Sequence, residues 1–207
     1  MSLASFNIVL VGENFPISNI KASDFIFNHR QLQETLRLPV ALQAQTRGVM
    51  LQILPERFEA AVSDSRSVAL DAERLSEMVS SIFEYIGPKS IKAVGHNAQY
   101  IVEGTEGRKK NLSQKLLSDN LINNSLGIST DSADVHVYFW TSTQKRGRLG
   151  FLTETDNPRT VLDFNINFDV ANEGGSREAI ANLSQSMQEI EAIATRAEAL
   201  FSPEHAK

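Results

Sequence analysis

The sequence predicts an α+β protein: largely antiparallel sheet, two central helices, and a long C-terminal helix packed on a sheet face. Three observations carry this expectation. Apolar and polar residues alternate over several short stretches, apolar residues recur every three to four positions in others, and Arg47-Gly48 separates two strand-like stretches as a hairpin turn would.

In chain order, Phe6, Ile8 and Leu10 alternate with Asn7, Val9 and Val11, a strand that Gly12 and Pro16 end. A polar stretch at Asn28 to Gln33 follows. Val40 to Thr46 and Val49 to Leu54 flank the Arg47-Gly48 turn, and Phe58, Ala60 and Val62 mark a further strand. From Leu70 the pattern changes: Ala72, Leu75, Met78, Val79, Ile82, Phe83 and Ile86 form an apolar stripe. Asp71 is the expected N-cap of this helix and Gly87-Pro88 its stop.

Ile91 to Val102 returns to an extended pattern, and a shorter helix is expected from about Lys109 to Leu121. Val135, Val137 and Phe139 then alternate with His136, Tyr138 and Trp140. Gln144 to Gly147 reads as a turn, with a strand from Leu149 to Thr153 after it. Thr160, Leu162, Phe164, Ile166, Phe168 and Val170 alternate with Val161, Asp163, Asn165, Asn167 and Asp169, giving one apolar and one mostly polar face. The last helix, about Ser176 to Phe201 with Ser176 as a cap, carries the stripe Ile180, Leu183, Met187, Ile190, Ala194, Ala197 and Leu200.

At 207 residues, with 42% hydrophobic and 22% charged residues, the chain can bury a proper core. A single domain over 1–207 is expected, with two sub-sheets at about 5–102 and 131–201 as a variant of it. No internal sequence repeat is visible. The net charge of -5 argues against nucleic acid as the default partner, and the absence of cysteine excludes disulfides and thiol chemistry. Met1 to Asn7 lacks the basic and apolar regions of a signal peptide, and no stretch approaches about 18 uninterrupted apolar residues. A cytoplasmic location away from membranes is therefore expected.

Few residues suggest chemistry. His96, with Asn97 and Tyr100 nearby on one strand, could place an imidazole beside hydrogen-bonding partners; the plainer reading puts His96 on the solvated face with Lys92. His136, Tyr138 and Trp140 share a strand face, either as a ligand-stacking platform or as helix-covered core. Arg108-Lys109-Lys110 and the run Lys145, Arg146, Gly147, Arg148 could touch phosphates, or could simply keep a loop and a hairpin tip soluble. Asp163, Asn165, Asn167 and Asp169 read as a solvated face rather than a cation site. No histidine pair has zinc-site spacing, the glycines match neither phosphate-binding fingerprint, and no serine sits in a nucleophile elbow. No cofactor is expected.

The segment Phe83-Glu84-Tyr85-Ile86-Gly87-Pro88, the strand Ile91 to Tyr100 and the ending Leu200-Phe201-Ser202-Pro203-Glu204 resemble a sporadically distributed prokaryotic family of uncharacterised proteins. The chain departs from it where members often carry an Arg-Tyr-Asn type segment. The resemblance implies a cytoplasmic α+β protein and supplies no activity.

The leading expectation is a non-catalytic binding or assembly protein, homo-oligomeric or bound to another protein through a sheet edge, a sheet face or the terminal helix. The alternative is a small-ligand protein or undescribed enzyme. Its pocket would lie between sheet and terminal helix, rimmed by His136, Tyr138 and Trp140 or by His96 and Tyr100.

Overall fold

The computed structural model describes residues 1–87, 90–103, 135–141, 145–153, 159–170 and 173–199. Its strands are β1 (Ser2–Gly12), β2 (Ile26–Phe27), β3 (Arg30–Gln31), β4 (Gln33–Leu38), β5 (Ala41–Thr46), β6 (Val49–Leu54), β7 (Arg57–Ser63), β8 (Ile91–Val102), β9 (Val135–Trp140), β10 (Arg146–Thr153) and β11 (Thr160–Asp169). Among the described residues three helices accompany them: α1 (Val68–Ser80), α2 (Glu173–Ala181) and α3 (Leu183–Ala199). None of these helices is long and apolar enough to cross a membrane.

Nine strands form one antiparallel sheet in the order β4-β5-β6-β7-β1-β8-β11-β10-β9, and β2 pairs with β3 in a separate hairpin. The two anticipated sub-sheets are thus halves of a single sheet, joined where β1 pairs with β8. The order reads alike outward from that joint. β1, β7, β6 and β5 run one way and β8, β11, β10 and β9 the other, each half followed by its own helical cover.

At the centre Asn7 lies opposite Asn97, flanked by the pairs Phe6 with Ala98 and Ile8 with His96. Exchanging the central strands about that point puts His96 where Phe6 stands and Tyr100 where Leu10 stands. The repeat is one of topology, invisible in the residues.

One face of the sheet is mostly apolar. Phe6, Ile8, Leu10, Leu42, Leu51, Ile53, Phe58, Ala98, Leu162, Phe164 and Ile166 are buried there beneath Leu75, Val79, Leu183, Met187 and Ile190 of the helices. Over the first half the cover also includes residues 15–32, where Phe25 packs on Phe58 with ring centroids 5.9 Å apart. Arg37 pins this segment by donating to the carbonyls of Ile17 and Ile20 while it pairs with Glu34.

Several boundaries differ from expectation for local reasons. The N-cap position of α1 is Ser67, whereas Asp71 lies inside the first turn and accepts a 2.7 Å hydrogen bond from Ser65. α1 ends at Ser80 and tightens into a 3-10 turn at Ser81–Glu84. There the Ser80 and Ser81 hydroxyls donate to the carbonyls of Ser76 and Met78 and so compete with the backbone ladder. The long terminal helix is interrupted at Asn182, and Ser176 is a buried residue within α2 rather than a cap. The expected helix at 109–121 lies outside the described residues.

Candidate functional site

The opposite face of the sheet carries the polar residues of each strand, and in its second half it gathers aromatic and cationic groups. The period of two sets this: once Val137, Leu149 and Phe164 point to the core, their neighbours Tyr138, Arg148 and Asn165 must point away. Tyr138 is 60% exposed and Trp140 70%, and His136 is exposed as well. All three side chains therefore face away from the helices, and helix-covered core does not describe their surroundings.

The basic run is not a hairpin tip. Arg146, Gly147 and Arg148 belong to β10, with Arg146 opposite Trp140 and Arg148 opposite Tyr138. The ladder of β9 and β10 is closed at this end by a 2.8 Å bond from the Thr141 N–H to the Lys145 carbonyl. Gly147 is required by packing. A Cβ there would lie 2.2 Å from the Phe139 ring, which covers it on the core side.

The Arg146 guanidinium stacks 4.3 Å from the Tyr138 ring centroid, Arg148 donates to Asp163 at 3.2 Å, and Lys145 lies 5.6 Å from the Phe168 centroid. Tyr138, Lys145, Arg146 and Arg148, together with Trp140, Asn165, Asn167 and Asp169, border a shallow concavity of about 760 Å³.

From this end a chain of hydrogen bonds crosses the sheet. Asn165 donates to Asn97, Asn97 to Asn7 at 2.6 Å, and Asn7 to Glu59 at 2.9 Å, while Arg57 also donates to Glu59 at 2.8 Å. Sequence reading placed Asn165 on a solvated face correctly but missed Asn7 and Asn97 as its partners. Only the strand register brings residues so far apart in sequence into line.

His96 and Tyr100 are elsewhere. They share their strand face with Val94, Ala98 and Val102, so they point into the core beneath the helices, and the reading that set His96 beside solvent is reversed. His96 is fully buried, its Nδ1 sharing a 2.8 Å hydrogen bond with Ser186 Oγ and its ring 4.7 Å from that of Phe168. Burial drives its pKa down to about 3, with the backbone at Ala179 opposing weakly, so the ring is neutral at ordinary pH. Among the described residues Nε2 has no hydrogen-bond partner, nor does the hydroxyl of Tyr100, whose pKa burial raises to about 12.

A serine and a histidine within hydrogen-bond reach invite a catalytic interpretation, but this pair has the wrong surroundings. Ser186 is 5% exposed, no carboxylate orients the ring, and neither group borders the concavity on the open face. Among the described residues there is no cluster of three or more His, Asp or Glu side chains able to hold a metal ion. Arg108, Lys109 and Lys110 lie outside the described residues.

Comparison with models of known protein families, and with curated proteins, finds no match to this chain.

Proposed function

We propose that this chain is a non-catalytic binding and assembly protein whose working surface is the β9 border of the sheet, and that the occupant is a second copy of itself in a cytoplasmic setting. One observation carries the reading. β9 exposes apolar surface on both of its faces, Val137 at 41% on the core side and Tyr138 and Trp140 on the open side. A border strand uncovered on both sides gains most from a neighbour that extends the sheet, because strands added edge to edge shield both faces at once.

Charge favours a like partner. The open face at this end holds Arg146 and Arg148 beside Asp163 and Asp169, so a twofold axis along the border can set cations against carboxylates. The sequence contains one tryptophan, Trp140, which therefore reports directly on the contact. Sedimentation velocity over a wide concentration range is expected to show a dimer forming as Trp140 becomes shielded from acrylamide quenching. Val137→Lys is expected to abolish both changes without altering the circular dichroism spectrum. A monomer at every concentration, with Trp140 equally quenched throughout, would overturn the proposal.

A second reading, a small-ligand site, draws on the Arg146–Tyr138 stack facing Trp140 across a concavity within the roughly 300–1,000 Å³ range of ligand pockets. Its mark would be a metabolite that raises the melting temperature of the native chain but not that of Trp140→Ala.

A further inference from the structure

We infer that a separate cleft at the start of α1, on the helix side of the sheet, binds a small organic phosphate. Three turns converge there: the tip of the β2–β3 hairpin, the β5–β6 turn at Arg47-Gly48, and the Asp64–Ser67 connection into α1. They enclose a space of about 590 Å³ into which four arginines are drawn, Arg30, Arg47, Arg66 and Arg74. The chain as a whole is acidic, so this gathering of one sign is local.

Only two carboxylates share the cleft, Asp64 and Asp71. Asp71 is already engaged, by the Ser65 hydroxyl and by Arg74 at 3.8 Å. The guanidinium groups of Arg30, Arg47 and Arg66 have no hydrogen bond or ion pair to any described residue. Guanidinium groups that border one concavity without counterions repel each other, and an incoming anion relieves that repulsion.

The cleft is also held in shape. Five residues among those described have positive φ, and four of them build its turns: Asn28 (φ 50°), His29 (61°), Gly48 (75°) and Asp64 (56°). Gly48 accepts a 2.9 Å bond from the Ser63 N–H, and a Cβ at Gly48 would stand 3.2 Å from the Ser63 carbonyl oxygen on top of that φ. Left-handed backbone at non-glycine residues is costly and concentrates at binding sites.

Geometry selects the ligand class. Arginines from three separate segments approach from different directions, which suits a tetrahedral group with three acceptor oxygens and up to two charges better than a planar carboxylate that one fork saturates. Phe27 and Val62 provide a buried apolar floor, and Leu70, 42% exposed, an apolar wall, so an organic substituent on the phosphate has surface to cover. The N–H groups of the first turn of α1 add to the field, since Ser67 makes no side-chain capping bond to them.

The test is calorimetric titration of the full chain with phenyl phosphate, inorganic phosphate and benzoate in low-salt buffer, repeated on Arg47→Ala and Arg66→Ala. Both arginines are exposed, so both variants are expected to keep the native melting temperature. One phenyl phosphate should bind per chain, more tightly than inorganic phosphate, and each substitution should weaken it at least tenfold. Absence of binding at millimolar phenyl phosphate, benzoate binding as tightly, or affinity unchanged in both variants would overturn the assignment. The site is remote from β9, so the outcome is independent of whether the chain dimerises.

Discussion

The two halves of the sheet share one strand order and one register pattern, yet they fill equivalent positions with different chemistry. Where the first half buries Phe6 and Leu10, the second buries His96 and Tyr100. On the open face the first half presents Gln43, Gln45, Gln52 and Met50, whereas the second presents Tyr138, Trp140, Arg146 and Arg148. The lesson is that the architecture needs only apolar volume and period-two alternation. A polar ring is tolerated in the core where a helix such as α3 brings up Ser186 to meet one of its two nitrogens.

The largest expected effect tests the apolar half. Phe6→Ala removes a fully packed ring at the joint and is expected to cost about 3–5 kcal/mol in urea denaturation. A cost under about 1 kcal/mol would mean that β1 is not the centre of the core.

The second prediction separates the halves by pH. His96 has a folded pKa near 3 against 6.5 for a free histidine, so as pH falls the unfolded chain takes up the proton first. Its contribution to stability is complete above about pH 6.5 and is lost toward pH 3 at about 1.4 kcal/mol per pH unit. Stability profiles of the wild type and of the double variant His96→Phe/Ser186→Ala, which gives the second half the residue of the first, should diverge only below pH 6.5. Parallel profiles would show that the ring is solvated.

The smallest effect concerns Tyr100. Its buried hydroxyl has no partner among the described residues, so Tyr100→Phe should leave stability unchanged or raise it by about 1 kcal/mol in thermal denaturation. A loss of more than about 1 kcal/mol would reveal a hydrogen bond to that oxygen.

The fold was legible wherever one face of an element is buried. The stripes of α1 and α3 and the alternation of β1, β5, β6, β7, β8 and β11 follow from burial alone, and their apolar residues are the core. β4 was missed because all six of its side chains are exposed, which leaves no period to read. Gly147 suggested a turn because glycine punctuates loops, but here it makes room for an aromatic ring across the ladder. His96 was set on the wrong face because Lys92, at the frayed start of β8, outweighed the buried run Val94, Ala98, Tyr100 and Val102. The residues of the open-face concavity were legible as three separate sets, aromatic, basic and polar, and the pairing of β9, β10 and β11 is what joins them. The arginine cleft was not, because its four side chains come from three segments that only tertiary structure unites.

The opposite border of the sheet, β4, has a consequence for assembly. A register shift between Glu34 and Leu36 interrupts its ladder with β5, and Arg37 on it pairs with Glu34. If β9 takes a neighbour as proposed and this irregular margin does not, the sheet cannot grow head to tail. Copies joined through β9 would stop at a closed pair instead of running on into a fibre.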